Sequence, residues 1–190
     1  MNTSAVVTFG RFQPPTIGHE HLFHQMESIS IAHGADSYVF VSQTVDAKSN
    51  PLAYKEKIGF LRAAFPNVNI VEDLTIKSPN DVLRWLTVVN YANVWMVAGA
   101  DRLPKYKDFL KYIGPNASVD KRYGFEELIL VPAGDRDPDS DDISGVSSTK
   151  ARFYAKTGDL DSFSSLMPPS LDAQLIEKIY MDVRRGLKIS

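Results

Sequence analysis

Cysteine is missing from the 190 residues of this chain. Its absence excludes a disulfide framework, a thiolate nucleophile and cysteine-ligated zinc, and it agrees with a reducing compartment. Histidine is scarce, with four in all, and His21, His24 and His33 show no metal-ligand spacing, so no metal site is assigned to protein side chains. No apolar run approaches the roughly 20 residues of a membrane span. The opening Met1-Asn2-Thr3-Ser4 lacks the basic n-region of a secretory signal, and the apolar stretch Ala5–Phe9 is too short to be its core. The expectation is a soluble, cytoplasmic protein with no membrane partner. An excess of one charge is also lacking: 21 Lys plus Arg face 23 Asp plus Glu, for a net charge of −2. Without a global basic field, nucleic acid is not an expected partner, and any site for a polyanion must be local.

The chain is 44% hydrophobic and 23% charged, near the globular norm. Its length suits one domain spanning 1–190 that withdraws roughly 70% of its unfolded surface from water. Short β-branched or aromatic runs alternate with longer segments of helical period, the pattern of βαβ units and a doubly wound, Rossmann-like parallel sheet. Five strands are expected near 5–9, 37–43, 68–71, 94–98 and 127–131. Most are nearly continuous in apolar residues, as strands buried on both faces should be. Helices are expected near 18–33, 54–65, 79–92 and 105–113, with Pro79 and Pro104 where a first turn tolerates proline. After an Asp-rich stretch from Ala133 to Gly145, read as a solvated connection, the segments 148–156, 160–166 and 171–185 are again helical. The expected organisation is thus an α/β core over 1–145 and a helical C-terminal part over 146–190.

Two stretches carry chemistry. The first, Gly10-Arg11-Phe12-Gln13-Pro14-Pro15-Thr16-Ile17-Gly18-His19, follows the first strand and enters the first helix, at the sheet edge where open parallel sheets bind ligands. Gly10 permits close approach to the backbone, and Thr16 is a plausible N-cap. A capping box would place Glu or Gln where His19 stands. Taken singly, His19 reads as a capping-region histidine. Beside the N–H groups of a helix start, it is also placed to donate to a phosphate oxygen. The second stretch is Val146-Ser147-Ser148-Thr149-Lys150-Ala151-Arg152. Its hydroxyls open a helix, and Arg152 follows Ser148 by four residues and Thr149 by three, so donors and a cation share one face. Alone this is an ordinary N-cap. With the first stretch it makes a second anion cradle.

Together these stretches resemble the paired signatures of the nucleotidyltransferase superfamily, H/T-x-G-H and I/V-S-S-T-x-x-R. Gly10-Arg11-Phe12-Gln13-Pro14 is similar to the G-R-F-Q-P opening of nicotinamide-mononucleotide adenylyltransferases of the archaeal and bifunctional bacterial type. Lys156-Thr157-Gly158-Asp159, with Phe163 and Leu166-Met167-Pro168, resembles the tail of small phage-encoded members. Thr16 departs from the histidine common at that position and matches the T-x-G-H of phosphopantetheine adenylyltransferases.

The resemblance implies transfer of AMP from ATP to a phosphomonoester acceptor, nicotinamide mononucleotide above others, with pyrophosphate leaving and NAD formed. It implies catalytic roles for His19, Thr16, Arg11 and Arg152. Nucleotide contacts would come from Gly10, Phe12, Gly18, Ser147, Ser148 and Thr149, and from Gly99 and Asp101, whose Gly99-Ala100-Asp101 is similar to the family's ribose-binding G-x-D. It also implies Mg²⁺ carried mainly by the ATP phosphates. Lys48, after the second strand, is a candidate for the acceptor's phosphate, and Trp85 for stacking on its ring; a solvated lysine and a packing tryptophan are the plainer readings. Two other functions stay open: a cytidylyltransferase using CTP and a phosphorylated alcohol or sugar, and a module that binds nucleotide without turnover. Homo-oligomerisation is likewise open.

Overall fold

The computed structural model describes residues 3–114, 122–133 and 147–189. The Asp-rich connection, beyond Ala133, and Val146 lie outside them. The strands are β1 (Ser4–Gly10), β2 (Asp36–Val41), β3 (Ile70–Val71), β4 (Asn93–Ala98) and β5 (Glu127–Pro132). The helices are α1 (Glu20–His33), α2 (Tyr54–Ala64), α3 (Pro79–Val89), α4 (Leu103–Tyr106), α5 (Ser148–Thr157), α6 (Leu160–Ser165) and α7 (Ala173–Gly186). The strands form one parallel sheet in the order β3-β2-β1-β4-β5, giving the Rossmann-like α/β fold that the alternation predicts. No helix among the described residues is long and apolar enough to cross a membrane.

The chain packs as two compact units that do not follow chain order. One comprises the described parts of Met1–Gly10, His21–Phe40 and Asp73–Arg136. Within it, β1 and β4 pair in register from Ser4 opposite Asn93 to Val7 opposite Met96, and β4 and β5 from Asn93 opposite Glu127 to Ala98 opposite Pro132. Ala5, Val6, Val7, Val94, Met96 and Val97 have no exposed surface, which is why these strands read as unbroken apolar runs. α3 starts on Ser78, whose hydroxyl accepts from Asp81 N–H, with Pro79 in the first turn. It stops at Asn90, held at φ 72°, three residues short of the expected end.

The helix expected over 105–113 is instead the single α turn of α4 followed by a 3₁₀ helix over Lys107–Tyr112. Tyr106, Phe109 and Tyr112 are spaced by three, so a helix of three residues per turn puts all three rings on one side. Phe109 and Tyr112 meet Tyr123 edge-on, and Tyr123 stacks on Phe125. Aromatic packing here outweighs the propensity for a regular α-helix.

The second unit comprises Arg11–Glu20, Val41–Glu72 and the described part of Asp137–Ser190. It brings α2 together with the three C-terminal helices. Asp159 and Asp172 cap α6 and α7 by accepting from Ser162 and Leu175 N–H, and Gly158 ends α5 at φ 83°, the left-handed region that favours glycine. The α7–α2 contact is fastened by Arg185, which pairs with Glu56 at 2.6 Å and with the buried Asp182 at 2.7 Å.

Candidate functional site

The described residues of both chemical stretches, apart from Gly10, fall in the second unit and touch. Thr16 is extended and opens a 3₁₀ turn over Ile17–His19 that runs into α1. His19 itself supplies the reciprocal half of the capping box, which the sequence lacks in Glu or Gln form: its Nδ1 accepts from Thr16 N–H at 3.0 Å. A neutral ring that accepts this bond at Nδ1 carries its proton on Nε2 and donates from there; the Thr16 carbonyl also lies 3.1 Å from Nδ1. Thr16 Oγ1 stands 3.1 Å from the same Nδ1, and Thr16 is fully buried. The Phe12 ring packs 4.9 Å from the imidazole. Phe12 is held at φ 48°, a conformation that costs a non-glycine residue about 1 to 3 kcal/mol and is found where surrounding packing dictates it.

The turn is tied to the C-terminal helices. Ile17 N–H donates to the Leu166 carbonyl at 3.0 Å, which gives the tail Gly158, Asp159, Phe163 and Leu166 a concrete role: cap, cap, buried anchor and acceptor. Ser148 donates to the Pro14 carbonyl at 2.8 Å. Ser147 is the N-cap of α5, accepting from Lys150 N–H at 3.2 Å, and Thr149 accepts from Arg152 at 3.1 Å. Arg152 reaches across to the Gln13 carbonyl, 2.7 Å from its other terminal nitrogen.

The locus is cationic. Arg152 forms no ion pair among the described residues. Burial and the neighbouring Arg11 cation push its guanidinium below the ordinary value, and Asp46 opposes them. Asp46 is itself committed: one oxygen accepts from Lys48 and Ser49 N–H at 2.9 and 2.7 Å, and the other from the Asn50 amide. These bonds hold its carboxyl well below the usual range and shape the loop that displays the exposed Lys48.

Lys57 has no sequence signature of its own, because lysine in a helix reads as solvated. In α2 it is fully buried, donates to the Ser42 carbonyl and is pulled down to about 8 by loss of hydration. The signal that could have found it is phase: Lys57, Leu61 and Ala64 follow the i, i+4, i+7 stripe of a core-facing surface, and all three are buried.

The remaining candidates belong to the first unit. Gly10 ends β1. Asp101 follows β4, exposed and 3.4 Å from Arg102. A Cβ on Gly99 would lie 2.8 Å from Asp101 Oδ1, so glycine leaves the space this carboxylate occupies. Trp85 is half-buried and meets Tyr38 and Phe40 edge-on at 5.3 and 5.5 Å, which is a packing environment. Among the described residues, no group of three or more His, Asp or Glu side chains could hold a metal ion.

No family model matches the sequence, and no curated protein matches it. The fold does have solved counterparts. The Plasmodium falciparum nicotinic acid mononucleotide adenylyltransferase complexed with NaAD is similar with a TM-score of 0.60 at 15% identity, covering 96% of this chain and 97% of that one. The same enzyme complexed with APC gives 0.58 at 16% identity over 94% and 97%. At this identity the similarity is one of architecture: the chain has the Rossmann-like α/β fold in which that adenylyltransferase is built.

Proposed function

We propose that this protein is an adenylyltransferase that transfers AMP from ATP to the phosphate of nicotinamide mononucleotide. The observation that carries the reading is the joining of the two stretches, Arg152 to Gln13 and Ser148 to Pro14. It gathers His19, Arg11, Arg152 and the start of α5 around one locus rich in cations and donors. An acceptor phosphate oxygen attacks the α-phosphorus in line; the new P–O bond forms as the bond to the bridging β-oxygen breaks, and the electron pair leaves with pyrophosphate. Such transfers depend on positioning and on stabilising phosphate charge rather than on a protein nucleophile.

In this reading, His19 donates from Nε2 to a triphosphate oxygen, and Thr16 fixes its tautomer and angle. Arg152 and Arg11 neutralise the departing pyrophosphate. Ser147 and Thr149 keep a hydroxyl proton for it, while Ser148 locks the cradle through Pro14. Gly10, Phe12 and Gly18 shape the turn, and Lys48 meets the acceptor's phosphate. Asp101 accepts from ribose hydroxyls, with Gly99 leaving it room. Trp85 is assigned packing. Mg²⁺ bound to the triphosphate would offset its charge; among the described residues this locus offers donors and cations rather than a cluster of metal-ligating side chains.

The test is mass spectrometry of products from ATP or CTP, Mg²⁺ and pooled acceptors: nicotinamide mononucleotide, nicotinate mononucleotide and phosphopantetheine. NAD is expected from ATP, and His19→Ala should lower its rate by about 10² to 10³. Product from CTP alone, or a His19→Ala variant with more than a third of wild-type turnover, refutes the assignment.

A further inference from the structure

Gln13 joins the pieces of this site in a way its position in the sequence does not announce. Its side chain is 1% exposed and pairs with the backbone of Leu52, where Oε1 accepts from the N–H at 2.8 Å and Nε2 donates to the carbonyl at 3.0 Å. The carboxamide thus reproduces the two-bond exchange between facing residues of a β-ladder, with a side chain in place of a strand. Chemistry fixes its orientation. The N–H of Leu52 can meet only an acceptor and its carbonyl only a donor, so a flipped amide would oppose like groups at both ends. The Thr44 carbonyl, 3.5 Å from Nε2, brings the start of the same loop to the same group. Gln13's own carbonyl holds Arg152 at 2.7 Å. One residue therefore grips the loop bearing Lys48 by its side chain and the α5 guanidinium by its backbone.

We propose that Gln13 is a positioning residue that couples the loop after β2, where the acceptor binds, to Arg152, which binds the triphosphate. The proposal rests on the adenylyl-transfer reading. Its physical content is that a shift of residues 44–52 moves Gln13, and with it the carbonyl that aims Arg152. Occupancy of either end then favours the arrangement the other needs, and the coupling is reciprocal.

Two variants test it beside the wild type. Gln13→Leu can form neither bond to Leu52 at any pH. Gln13→Glu forms both when its carboxyl is protonated, one oxygen accepting from Leu52 N–H and the O–H donating to the carbonyl. When ionised, it sets a negative oxygen against that carbonyl. At pH 8 both variants should lose kcat by about ten- to a hundredfold, the scale of a small misplacement of reacting groups, with a raised KM for nicotinamide mononucleotide.

Calorimetry with α,β-methylene ATP, with and without nicotinamide mononucleotide, reads the coupling itself: each ligand should tighten the other in the wild type, and the effect should vanish in Gln13→Leu. A wild type that neither binds the analogue nor transfers AMP overturns the adenylyl-transfer reading and this proposal with it. A wild type that does both, alongside a folded Gln13→Leu with unchanged kcat and coupling, overturns this proposal alone. Should Gln13→Leu not fold, a folded Gln13→Glu with wild-type kcat and coupling at pH 8 overturns it equally.

Discussion

Replacing Lys57 with methionine should stabilise the protein at neutral pH, and the gain should fade as the pH rises. Lys57 has no exposed surface, and burial lowers its titration from the ordinary 10.5 to about 8. A displacement of that size corresponds to about 3 kcal/mol of preference for the neutral amine. Between pH 8 and 10.5 the unfolded chain holds this proton and the folded one does not, so wild-type stability climbs with pH across that window. Below pH 8 the full penalty of burying the ammonium is present. Lys57→Met keeps most of the volume and removes the charge, but leaves the Ser42 carbonyl without this donor, at about 1 kcal/mol. The variant should therefore be more stable by about 2 kcal/mol at pH 7 and no more stable than wild type by pH 10.5. Urea unfolding of both proteins at pH 7, 8, 9 and 10 measures the difference directly, and other titrating groups cancel in it. A difference that stays constant over this range would show that Lys57 titrates where an exposed lysine does.

Arg152→Lys keeps the cation but cannot span the Gln13 carbonyl and the Thr149 hydroxyl with a planar fork. It should regain only part of the roughly 10² to 10³ in kcat lost by Arg152→Ala, and full recovery in initial-rate assays would mean that charge alone suffices. Under the proposed ribose role, Asp101→Ala should raise the KM for ATP by the equivalent of about 1.5 to 3 kcal/mol with little change in kcat, because such a contact is the same in ground and transition states. Gly99→Ala should move KM in the same direction by displacing that carboxylate, and a wild-type KM in both variants would remove Asp101 from the nucleotide site. Gly186→Ala would set a Cβ 2.6 Å from the Pro51 carbonyl carbon. Since backbone cannot swing aside, α7 must shift, and stability should fall by about 1 to 3 kcal/mol in thermal unfolding; an unchanged Tm would contradict that packing.

Much of the architecture was legible because it is written in local period. The apolar runs of β1 and β4 announce strands covered on both faces, and Pro79 and the hydroxyls from Ser147 to Thr149 mark helix starts within a few residues. The two chemical stretches could also be found in the sequence, since their residue types act at fixed spacing along one turn. Where a tertiary contact competed with period, the reading slipped: the rings of Tyr106, Phe109 and Tyr112 draw their segment into a 3₁₀ helix to meet Tyr123. Lys57 looked like any helical lysine until burial changed its chemistry, because desolvation is a property of what surrounds a side chain. Gln13 is the clearest case. Its partners are Leu52, 39 residues away, and Arg152, 139 residues away. The sequence by itself determined which segments become strands, turns and helix starts, since those choices rest on neighbours a few residues apart. Only the tertiary structure decided which carbonyl meets which guanidinium, because hydrogen bonds between distant segments leave no periodic trace along the chain.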